Sequence, residues 1–312
     1  MFLARGLRHL VLPEEGCVAT IGNFDGVHLG HRAVIEALAA HGRRLGLPTI
    51  IILFEPQPRE YFDPQRAPPR LSRFREKLSQ FDRLPVDGVL ELHFHRLLAD
   101  LSASDFIKNV LVESLRVKYL VVGDDFRFGR NRHGDFAMLR RAGAIYGFDV
   151  ADTGSVEEGG LRVSSTLIRQ ALGLGNMEDA KHMLGRPYSI MGRVCQGAKL
   201  GRKIGFPTAN IALMRKKTPL QGVFAVTMDG ITGQPLAGVA NVGLRPTVDG
   251  RRTVQLETHL FDFAEDIYGK LVEVHFHHKL REERRFESLE ALRRQIERDA
   301  SQARAYFANL NC

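Results

Sequence analysis

The chain has 312 residues, of which 44% are hydrophobic, so it is long enough to form two globular domains with separate cores. Its longest apolar run, Ile50–Phe54, is too short to span a bilayer, and its three widely separated cysteines offer neither a disulfide framework nor metal-ligand spacing. The formal net charge of +8 suits phosphorylated small molecules as well as nucleic acid, but no run of five lysines or arginines is present. We therefore expect a cytoplasmic protein that binds neither membranes nor nucleic acid.

The first half of the chain alternates strand-like and helix-like segments. Apolar segments predict strands at Cys17–Ile21, Thr49–Phe54, Val86–His93 and Val117–Gly123. Amphipathic segments between them predict helices at Arg32–Leu45, Arg73–Phe81 and Ser104–Leu115, the last capped by Ser102 or Ser104. This alternation predicts an α/β domain with a Rossmann-like parallel sheet, helices on both faces, and a ligand site beyond the carboxyl ends of the strands.

From about Tyr188 the pattern changes to short alternating strands separated by Gly, Pro and Asp turns. The strand-like segments are centred on Val223–Thr227, Val239–Val242, Val254–Leu260 and Val272–Phe276. They predict a small antiparallel β-barrel or sandwich, closed by a helix that begins after Ser288. With the boundary placed near Gly185, the predicted domains are residues 1–185 and 186–312.

The most informative segment runs from Gly22 to His31, where an apolar strand turns through glycines into a helix. Such a turn exposes backbone N–H groups at a helix N-terminus, which favours a bound phosphate. His28 and His31 follow the turn and could add hydrogen bonds or positive charge. A metal-binding histidine pair and a purely structural role are the alternatives.

A second candidate phosphate site begins at Ser164. Three hydroxyl residues, Ser164, Ser165 and Thr166, lie at a predicted helix start, and Arg169 follows one turn later. Hydroxyls and N-terminal amides bind phosphate oxygens, and a guanidinium can contact a polyphosphate through two N–H groups. Taken alone, the segment is better explained as an ordinary serine N-cap followed by a surface arginine. Beside the histidine pair, the phosphate interpretation is favoured.

Together, Gly22–His31, Gly123–Gly129 and Ser164–Arg169 resemble the adenylyltransferase module of bacterial bifunctional riboflavin kinase/FAD synthetases. The resemblance implies that the FMN phosphate attacks the α-phosphorus of ATP and that pyrophosphate leaves. It implies that the histidines stabilise the ATP phosphates in the transition state, and that the hydroxyl segment holds the β- and γ-phosphates. The implied ATP-binding residues are Gly22, Asn23, Phe24, Asp25, Ser164, Ser165 and Thr166, and the implied catalytic residues are His28, His31 and Arg169.

The same resemblance places the flavin at the loop that follows Gly123. It implies that Asp125, Phe126 and Phe128 lie near the flavin phosphate and ring. Some members of the family carry Asn where this chain has Asp125, and an aspartate there would repel a phosphate unless Arg127 or a metal pairs with it. The proline-rich segment from Glu55 to Arg70 is either part of the substrate pocket, as in the family, or a rigid connector.

The second half contains a further chemical motif, Gly205–Asn210. It follows a loop, residues 197–203, whose glycines could wrap around phosphates and whose cations could neutralise them. Thr208 and Asn210 offer two neutral oxygens suited to Mg²⁺ bound to ATP, although an isolated string of this kind would be an ordinary turn. Further along, strand period two places Glu257 opposite the apolar face, either as a proton acceptor or as a solvent-facing side chain.

Residues 188–300 resemble riboflavin kinase. The motifs are Pro207–Asn210, Gly222–Phe224, Asn241–Thr247, Glu257–His259 and Asp266–Gly269, in family order. The resemblance implies a six-stranded barrel in which Thr208 and Asn210 bind Mg²⁺–ATP and Glu257 is the base for the ribityl 5′-hydroxyl. The remaining implied contacts are Gly197, Lys199 and Arg202 with ATP, and Arg281 and Phe286 with the flavin.

The two resemblances predict a bifunctional enzyme whose substrates are riboflavin, FMN and ATP and whose cofactor is Mg²⁺. We expect a monomer or weak self-association. One rival is another adenylyl- or cytidylyltransferase in which the barrel is only a substrate domain. The other is a basic nucleic-acid-binding or regulatory protein, which would require clustered cations and stacking aromatic residues.

Overall fold

The computed structural model describes residues 1–123, 125–152, 157–158, 161–197, 201, 205–215, 217–246 and 252–310. Contacts between Cα atoms divide the chain into two compact units. The first comprises Met1–Pro68 and Arg73–Val163, and the second comprises Pro69–Ser72 and Ser164–Cys312. No helix among the described residues is both long and apolar enough to cross a membrane.

The first unit is built on a six-stranded parallel sheet with the strand order β1-β4-β3-β2-β5-β6. The strands are β1 (Phe2–Arg5), β2 (Cys17–Ile21), β3 (Thr49–Glu55), β4 (Gly88–His93), β5 (Val117–Val122) and β6 (Asp149–Asp152). The strand order changes direction between β2 and β5, which is where ligands bind in such sheets. The carboxyl ends of β2 and β5 lead into the Gly22–His31 turn and the loop that follows Gly123, so the sheet places both predicted segments at one edge.

Helices cover both faces of this sheet, as the alternating pattern predicted. They are α1 (Leu29–Leu45), α2 (Pro58–Phe62), α3 (Phe74–Phe81), α4 (Arg96–Ala99), α5 (Ala103–Asp105), a π-helix (Phe106–Ser114) and α6 (Phe136–Tyr146), and a short hairpin of β7 (Glu157–Glu158) and β8 (Leu161–Arg162) follows. Alternate residues of β3 point to opposite faces: Ile52 packs in the cluster of the π-helix and α6, whereas Ile51 packs with α1 and α3. The parallel α/β prediction is confirmed.

The second unit is a closed six-stranded antiparallel barrel with the order β10-β13-β12-β11-β14-β9. Its strands are β9 (Tyr188–Cys195), β10 (Ala209–Ala212), β11 (Gly222–Asp229), β12 (Leu236–Pro246), β13 (Arg252–Leu260) and β14 (Leu271–Arg281), and its helices are α7 (Ser165–Leu174), α8 (Met177–Leu184) and α9 (Leu289–Leu310). Closure makes it a barrel rather than a sandwich. Helix α9 begins after Ser288, whose Oγ accepts from the backbone N–H of Ala291, and it covers the outer barrel face at Ala225 and Phe261.

Along the sequence, the boundary between the two compact units falls between Val163 and Ser164. This is earlier in the chain than the boundary expected near Gly185. The cause is packing, because Ile168 of α7 and Met177 of α8 share one apolar cluster with the barrel interior. The predicted helix Ser104–Leu115 also differs from the structure. Its first residues form α5, capped by Ser102, and the rest is the π-helix, in which the backbone hydrogen bonds span one residue more.

Candidate functional sites

The Gly22–His31 turn connects β2 to α1. His28 is the N-cap of α1, and its Nδ1 accepts a 3.3 Å hydrogen bond from the backbone N–H of His31. The two imidazole rings stack, with centroids 3.6 Å apart and planes inclined by 18°. Because Nδ1 of His28 is an acceptor, the proton of its neutral ring lies on Nε2. The helix start therefore supplies an imidazole N–H donor in addition to its first backbone N–H groups.

The second imidazole, that of His31, is held uncharged. Burial lowers the pKa of His31 well below its usual value, and electrostatic interaction with His28 and Lys77 lowers it further. The Nδ1 atom of His31 is shielded from solvent and has no hydrogen-bond partner among the described residues. A shielded nitrogen that carries a proton can donate it to a phosphate oxygen, so this ring suits an oxygen-rich ligand.

A metal site at the histidine pair would need a third ligand. Within the described ranges, no cluster of three His, Cys, Asp or Glu side chains could hold a metal ion. The structure gives the metal interpretation of His28 and His31 no support, whereas the helix start supports an anion.

The turn itself is held in an unfavourable backbone conformation. Phe24 and Val27 have φ values of 45° and 42°, which cost non-glycine residues of order 1–3 kcal/mol each. Dense packing maintains them: Val27 is 1% exposed, Asp25 is 3% exposed, and the ring of Phe24 lies 5.0 Å from that of His31. A Cβ at Gly22 would lie 3.0 Å from the Phe24 ring, so a larger residue there would require the ring to shift. The turn is thus pre-organised before any ligand binds.

An aromatic cavity of about 400 Å³ lies in the same unit. Its aromatic walls are Phe54, Phe62, Phe94, Phe106, Phe126 and Phe128, and its arginines are Arg59, Arg66, Arg127 and Arg132. The rings of Phe126 and Phe128 are nearly parallel, with centroids 5.5 Å apart. Flat aromatic walls with a cationic rim suit a planar aromatic ligand that carries a phosphate.

Asp125 differs from Phe126 and Phe128 in its position relative to the aromatic cavity. Phe126 and Phe128 line the cavity, whereas Asp125 is exposed and is not among the lining residues. Arg127 pairs with Asp135, at 3.2 Å, rather than with Asp125. The hydrogen bond from the backbone N–H of Met138, and to a lesser extent Arg127, lowers the pKa of Asp135, the N-cap of α6.

The proline-rich segment supplies part of the cavity wall. Pro58, Arg59, Phe62, Arg66 and Pro68 all line the cavity, so the pocket interpretation of Glu55–Arg70 is favoured over a simple connector. The sequence pattern indicated the prolines at both ends of this segment but did not single out Arg59, Phe62 or Arg66. It missed Phe94, which follows β4 at the same edge of the sheet and carried no motif of its own.

The hydroxyl segment belongs to the second compact unit. Ser164 is the N-cap of α7, where its Oγ accepts a 3.3 Å hydrogen bond from the backbone N–H of Leu167. Arg169 donates from Nε to the carbonyl of Pro69 at 2.7 Å. Ser165 is half-buried and Thr166 is exposed. Ser164 is therefore a helix N-cap, as one of the two interpretations predicted. Phosphate binding by this segment stays a prediction.

The strand register of the barrel places predicted kinase residues directly opposite one another on neighbouring strands. Asn210 of β10 pairs with Glu257 of β13, and Glu257 pairs in turn with Asn241 of β12. All three side chains line a cavity of about 240 Å³, together with Thr208, His259, Arg281 and Phe286. Asn241 was missed as a site residue, and its Oδ1 is buried with no hydrogen-bond partner among the described residues. Closure of the barrel thus brings three polar residues from separate strands to one cavity.

A smaller hollow adjoins this cavity at Thr208. Its lining includes Pro207, Ala209, Phe263 and Tyr268. Thr208 lines both the cavity and the hollow, so a ligand bound at Thr208 can contact a second ligand in either space. His259 fixes the connecting segment, because its Nδ1 donates to the carbonyl of Pro207 at 2.9 Å.

The residues that could hold Mg²⁺ are Thr208 and Asn210. Their neutral oxygen donors lie on the lining of one cavity, and Gly197 packs against the Asn210 amide so closely that a Cβ would overlap it. Hard oxygen donors with few protein charges fit Mg²⁺ that retains waters and phosphate oxygens. The predicted ATP contacts Lys199 and Arg202 lie outside the described residues.

A buried ion pair fixes the opposite wall of the barrel cavity. Arg281 binds Asp299 of α9 through two nitrogens, at 2.7 and 3.0 Å, and Asp299 is 2% exposed. The guanidinium of Arg281 also lies 5.6 Å from the ring centre of Phe286. The predicted flavin-binding arginine is therefore also the residue that attaches α9 to β14.

Asp299→Asn is expected to lower the free energy of unfolding of the barrel by about 3 kcal/mol, because it leaves the Arg281 charge without its buried counter-ion. Urea unfolding measures this loss. The matched control is Asp262→Asn, which breaks an exposed pair between α9 and the β13 end, Asp262–Arg304 at 2.8 Å, and should change stability little. Equal stability of the two variants would contradict the structural role of the Arg281 pair.

Comparison with known proteins assigns each unit to a family model. Residues 12–167 match the model described as FAD synthetase, and residues 184–307 match the model described as riboflavin kinase. A bifunctional riboflavin kinase/FMN adenylyltransferase from Escherichia coli K12 is 52% identical over 98% of both chains. Its namesake from Pseudomonas fluorescens is 50% identical over 99% of this chain and 98% of the relative.

Among solved structures, one described as a macrolide-efflux protein from Streptococcus pneumoniae has a TM-score of 0.79 and 28% identity. It covers 96% of this chain and 97% of that chain, so the two-unit architecture is shared over nearly the full length of both.

Proposed function

The chain belongs to the bifunctional riboflavin kinase/FMN adenylyltransferase family, and from that premise we propose which of its residues perform each reaction. The family assigns two ATP-dependent activities: phosphorylation of riboflavin to FMN, and adenylylation of FMN to FAD with release of pyrophosphate. We assign the first activity to a domain of residues 186–312 and the second to a domain of residues 1–185. The single observation that carries the residue assignment is that each unit has its own cavity. Phe126 and Phe128 line the first, and the second is lined by Thr208, Asn210, Glu257, Arg281 and Phe286.

In the kinase reaction, the ribityl 5′-hydroxyl oxygen attacks the γ-phosphorus of ATP and ADP leaves. Glu257 would take the hydroxyl proton, since it lies at the level of Asn210 and lines the same cavity. Phe286 and Arg281 would form the wall against the flavin ring. The nucleotide would occupy the hollow beside Thr208, so that its terminal phosphate points to the shared residue.

Mg²⁺ bound by Thr208 and Asn210 would neutralise charge on the ATP phosphates. The protein's part is to hold both oxygens in place. The hydrogen bond from His259 to Pro207 and the packing of Gly197 on Asn210 serve this purpose. Metal binding in this domain would thus depend on loop geometry more than on carboxylate charge.

In the adenylyl transfer, an FMN phosphate oxygen attacks the α-phosphorus of ATP and the bond to pyrophosphate breaks. We assign stabilisation of the ATP phosphates to Nε2–H of His28, to the His31 ring and to the first N–H groups of α1. The Gly22–Asp25 turn would contact ATP, and Ser164, Ser165, Thr166 and Arg169 are assigned to its β- and γ-phosphates. No protein nucleophile is needed, because FMN itself supplies the attacking oxygen.

The flavin ring of FMN would stack in the aromatic cavity. Phe126 and Phe128 form one flat wall, and Arg66 or Arg59 at the rim would pair with the FMN phosphate. Asp125 is exposed beside this wall and would act at the mouth of the cavity rather than on the ring. We propose that the protein works in the cytoplasm as a monomer or weakly self-associating enzyme, without nucleic acid or membrane partners.

Phe126→Ala is expected to raise the KM for FMN about tenfold in FAD formation, because loss of one stacking wall removes of order 1–1.5 kcal/mol. Initial rates of FAD formation with FMN and ATP supplied measure this change. Tyr146→Ala, which removes an exposed aromatic side chain of α6 outside the cavity, is the control and should leave the KM unchanged. An unchanged KM for FMN in Phe126→Ala would remove the flavin from this cavity.

The overall assignment is tested by incubating the protein with riboflavin, ATP and Mg²⁺ and separating the products by chromatography. FMN should appear first and FAD should follow from it. Omission of Mg²⁺ should stop FMN formation. Absence of both products would overturn the proposed function.

A further inference from the structure

Lys77 is a buried cation that none of the assigned roles uses. It lies on α3, its side chain is 1% exposed, and its Nζ donates a 2.7 Å hydrogen bond to the backbone carbonyl of Asn23. Removing an ammonium group from water has a large free-energy cost, which apolar residues of similar volume avoid. A lysine in this place therefore points to a role for its charge or its hydrogen bond.

The acceptor of this hydrogen bond is in the phosphate turn. Asn23 begins the strained turn that contains Phe24 and Val27, and the turn ends at His28, the N-cap of α1. The Lys77 hydrogen bond thus ties the turn to α3, in addition to its covalent attachment to β2 and α1.

We propose that Lys77 is a positioning residue for adenylyl transfer: its ammonium fixes the carbonyl of Asn23 and thereby the backbone that places His28 and His31. The proposal rests on the proposed function, since it assumes that the two histidines act on the ATP phosphates. Lys77 does not itself contact the reacting atoms in this proposal.

The charge of Lys77 has a second consequence at His31. The groups that act on His31 are His28, on its own helix, and Lys77, on α3, and both disfavour a charged imidazole. Glu76, the neighbour of Lys77, accepts a hydrogen bond from the backbone N–H of Arg73, and Asp25 lies buried in the turn. Removing the Lys77 charge should therefore raise the pKa of His31 toward its usual value.

Two variants separate the hydrogen bond from the charge. Lys77→Met nearly keeps the length and removes both, whereas Lys77→Gln removes the charge and retains an N–H donor on a side chain one atom shorter. We expect Lys77→Met to lower kcat for FAD formation by about 10- to 100-fold with a smaller change in the KM for ATP, because a small displacement of catalytic groups has effects of that size. Lys77→Gln should retain more activity than Lys77→Met.

Nuclear magnetic resonance of the histidine rings supplies a readout that a merely structural role would not change. His31, assigned by comparison with His31→Gln, should titrate at higher pH in both Lys77 variants than in the unsubstituted protein. Riboflavin phosphorylation in the same preparations should stay unchanged, and thermal unfolding followed by circular dichroism reports whether the unit that contains Lys77 is folded. Lys108→Met is the matched control, since Lys108 is an exposed lysine of the π-helix that pairs with Glu113.

Normal kcat for FAD formation in Lys77→Met, together with strong loss in His28→Asn, would overturn the role of Lys77 and leave the proposed function intact. Normal kcat in both variants would overturn the assigned role of His28 as well, whereas absence of FAD formation in the unsubstituted protein would overturn the proposed function itself. If the Lys77 variants do not fold, the unsubstituted protein decides the question. Its Lys77 Nζ protons should exchange slowly and show through-bond coupling to the Asn23 carbonyl, and rapid exchange without coupling would overturn the proposal.

Discussion

Glu257→Gln is expected to reduce riboflavin phosphorylation by about 10²- to 10⁴-fold, the usual contribution of a general base. Glutamine has nearly the same size and keeps the position beside Asn210 and Asn241, but its amide cannot take the proton of the ribityl hydroxyl. The KM values for riboflavin and ATP should therefore change much less than kcat. Initial rates of FMN formation, followed by chromatography, measure the loss.

The same preparation of Glu257→Gln should convert supplied FMN to FAD at the normal rate, because no residue of the barrel cavity is assigned to that reaction. Glu273→Gln is the matched control: Glu273 is a half-buried glutamate of the same barrel, on β14, and accepts a hydrogen bond from Ser189. Its substitution should leave phosphorylation within a factor of about two. Near-normal phosphorylation in Glu257→Gln would exclude Glu257 as the base and leave the cavity as a binding site only.

Local patterns in the sequence were sufficient for much of the fold. The apolar run of β3 and the alternation on β13 determined which residues are buried, because each reports directly on the periodicity of a strand. The family resemblance supplied the six-stranded barrel, which the residues alone left open against a sandwich. Strands without such a pattern were missed: β1 has a single buried residue, Ala4, and β6 has none.

The ends of elements depended on side-chain contacts that a pattern does not report. Helix α1 begins at Leu29 rather than at the expected Arg32, because the ring of His28 caps it. Histidine is not a usual N-cap residue, so nothing in the sequence indicated this start. The cap also changes the interpretation of His28, which now has a structural function and a proposed catalytic one on different ring nitrogens.

The sites were predictable where a motif is continuous in the chain, and unpredictable where closure of the fold assembles them. The turn to His28 and the Thr208–Asn210 segment are continuous. Asn241 joins Glu257 only through the register of β12 and β13, and Phe94 joins Phe126 only through the shared edge of a parallel sheet. Lys77 is separated from Asn23 by 54 positions, so its contact with the turn could not be inferred.

His28→Asn is expected to lower FAD formation from FMN by about 10²- to 10³-fold, the effect of removing one donor to a developing charge. Asparagine can still cap α1, because its side-chain oxygen accepts from the backbone N–H groups of the first turn. It lacks an N–H at the position of Nε2, so the loss of activity isolates that donor from the cap. His28→Ala removes both functions and should lose stability as well as activity, by about 1 kcal/mol for the cap.

The structure offers a matched control for the double role of His28. His95 is the N-cap of α4 with the same geometry, its Nδ1 accepting a 3.3 Å hydrogen bond from the backbone N–H of Leu98. His95→Asn should change neither FAD formation nor phosphorylation, whereas His28→Asn should lower the first and spare the second. Equal loss of both activities in folded His28→Asn would contradict two independent sites. Normal FAD formation would show instead that His28 serves the helix alone and that the anion is held by the backbone of α1.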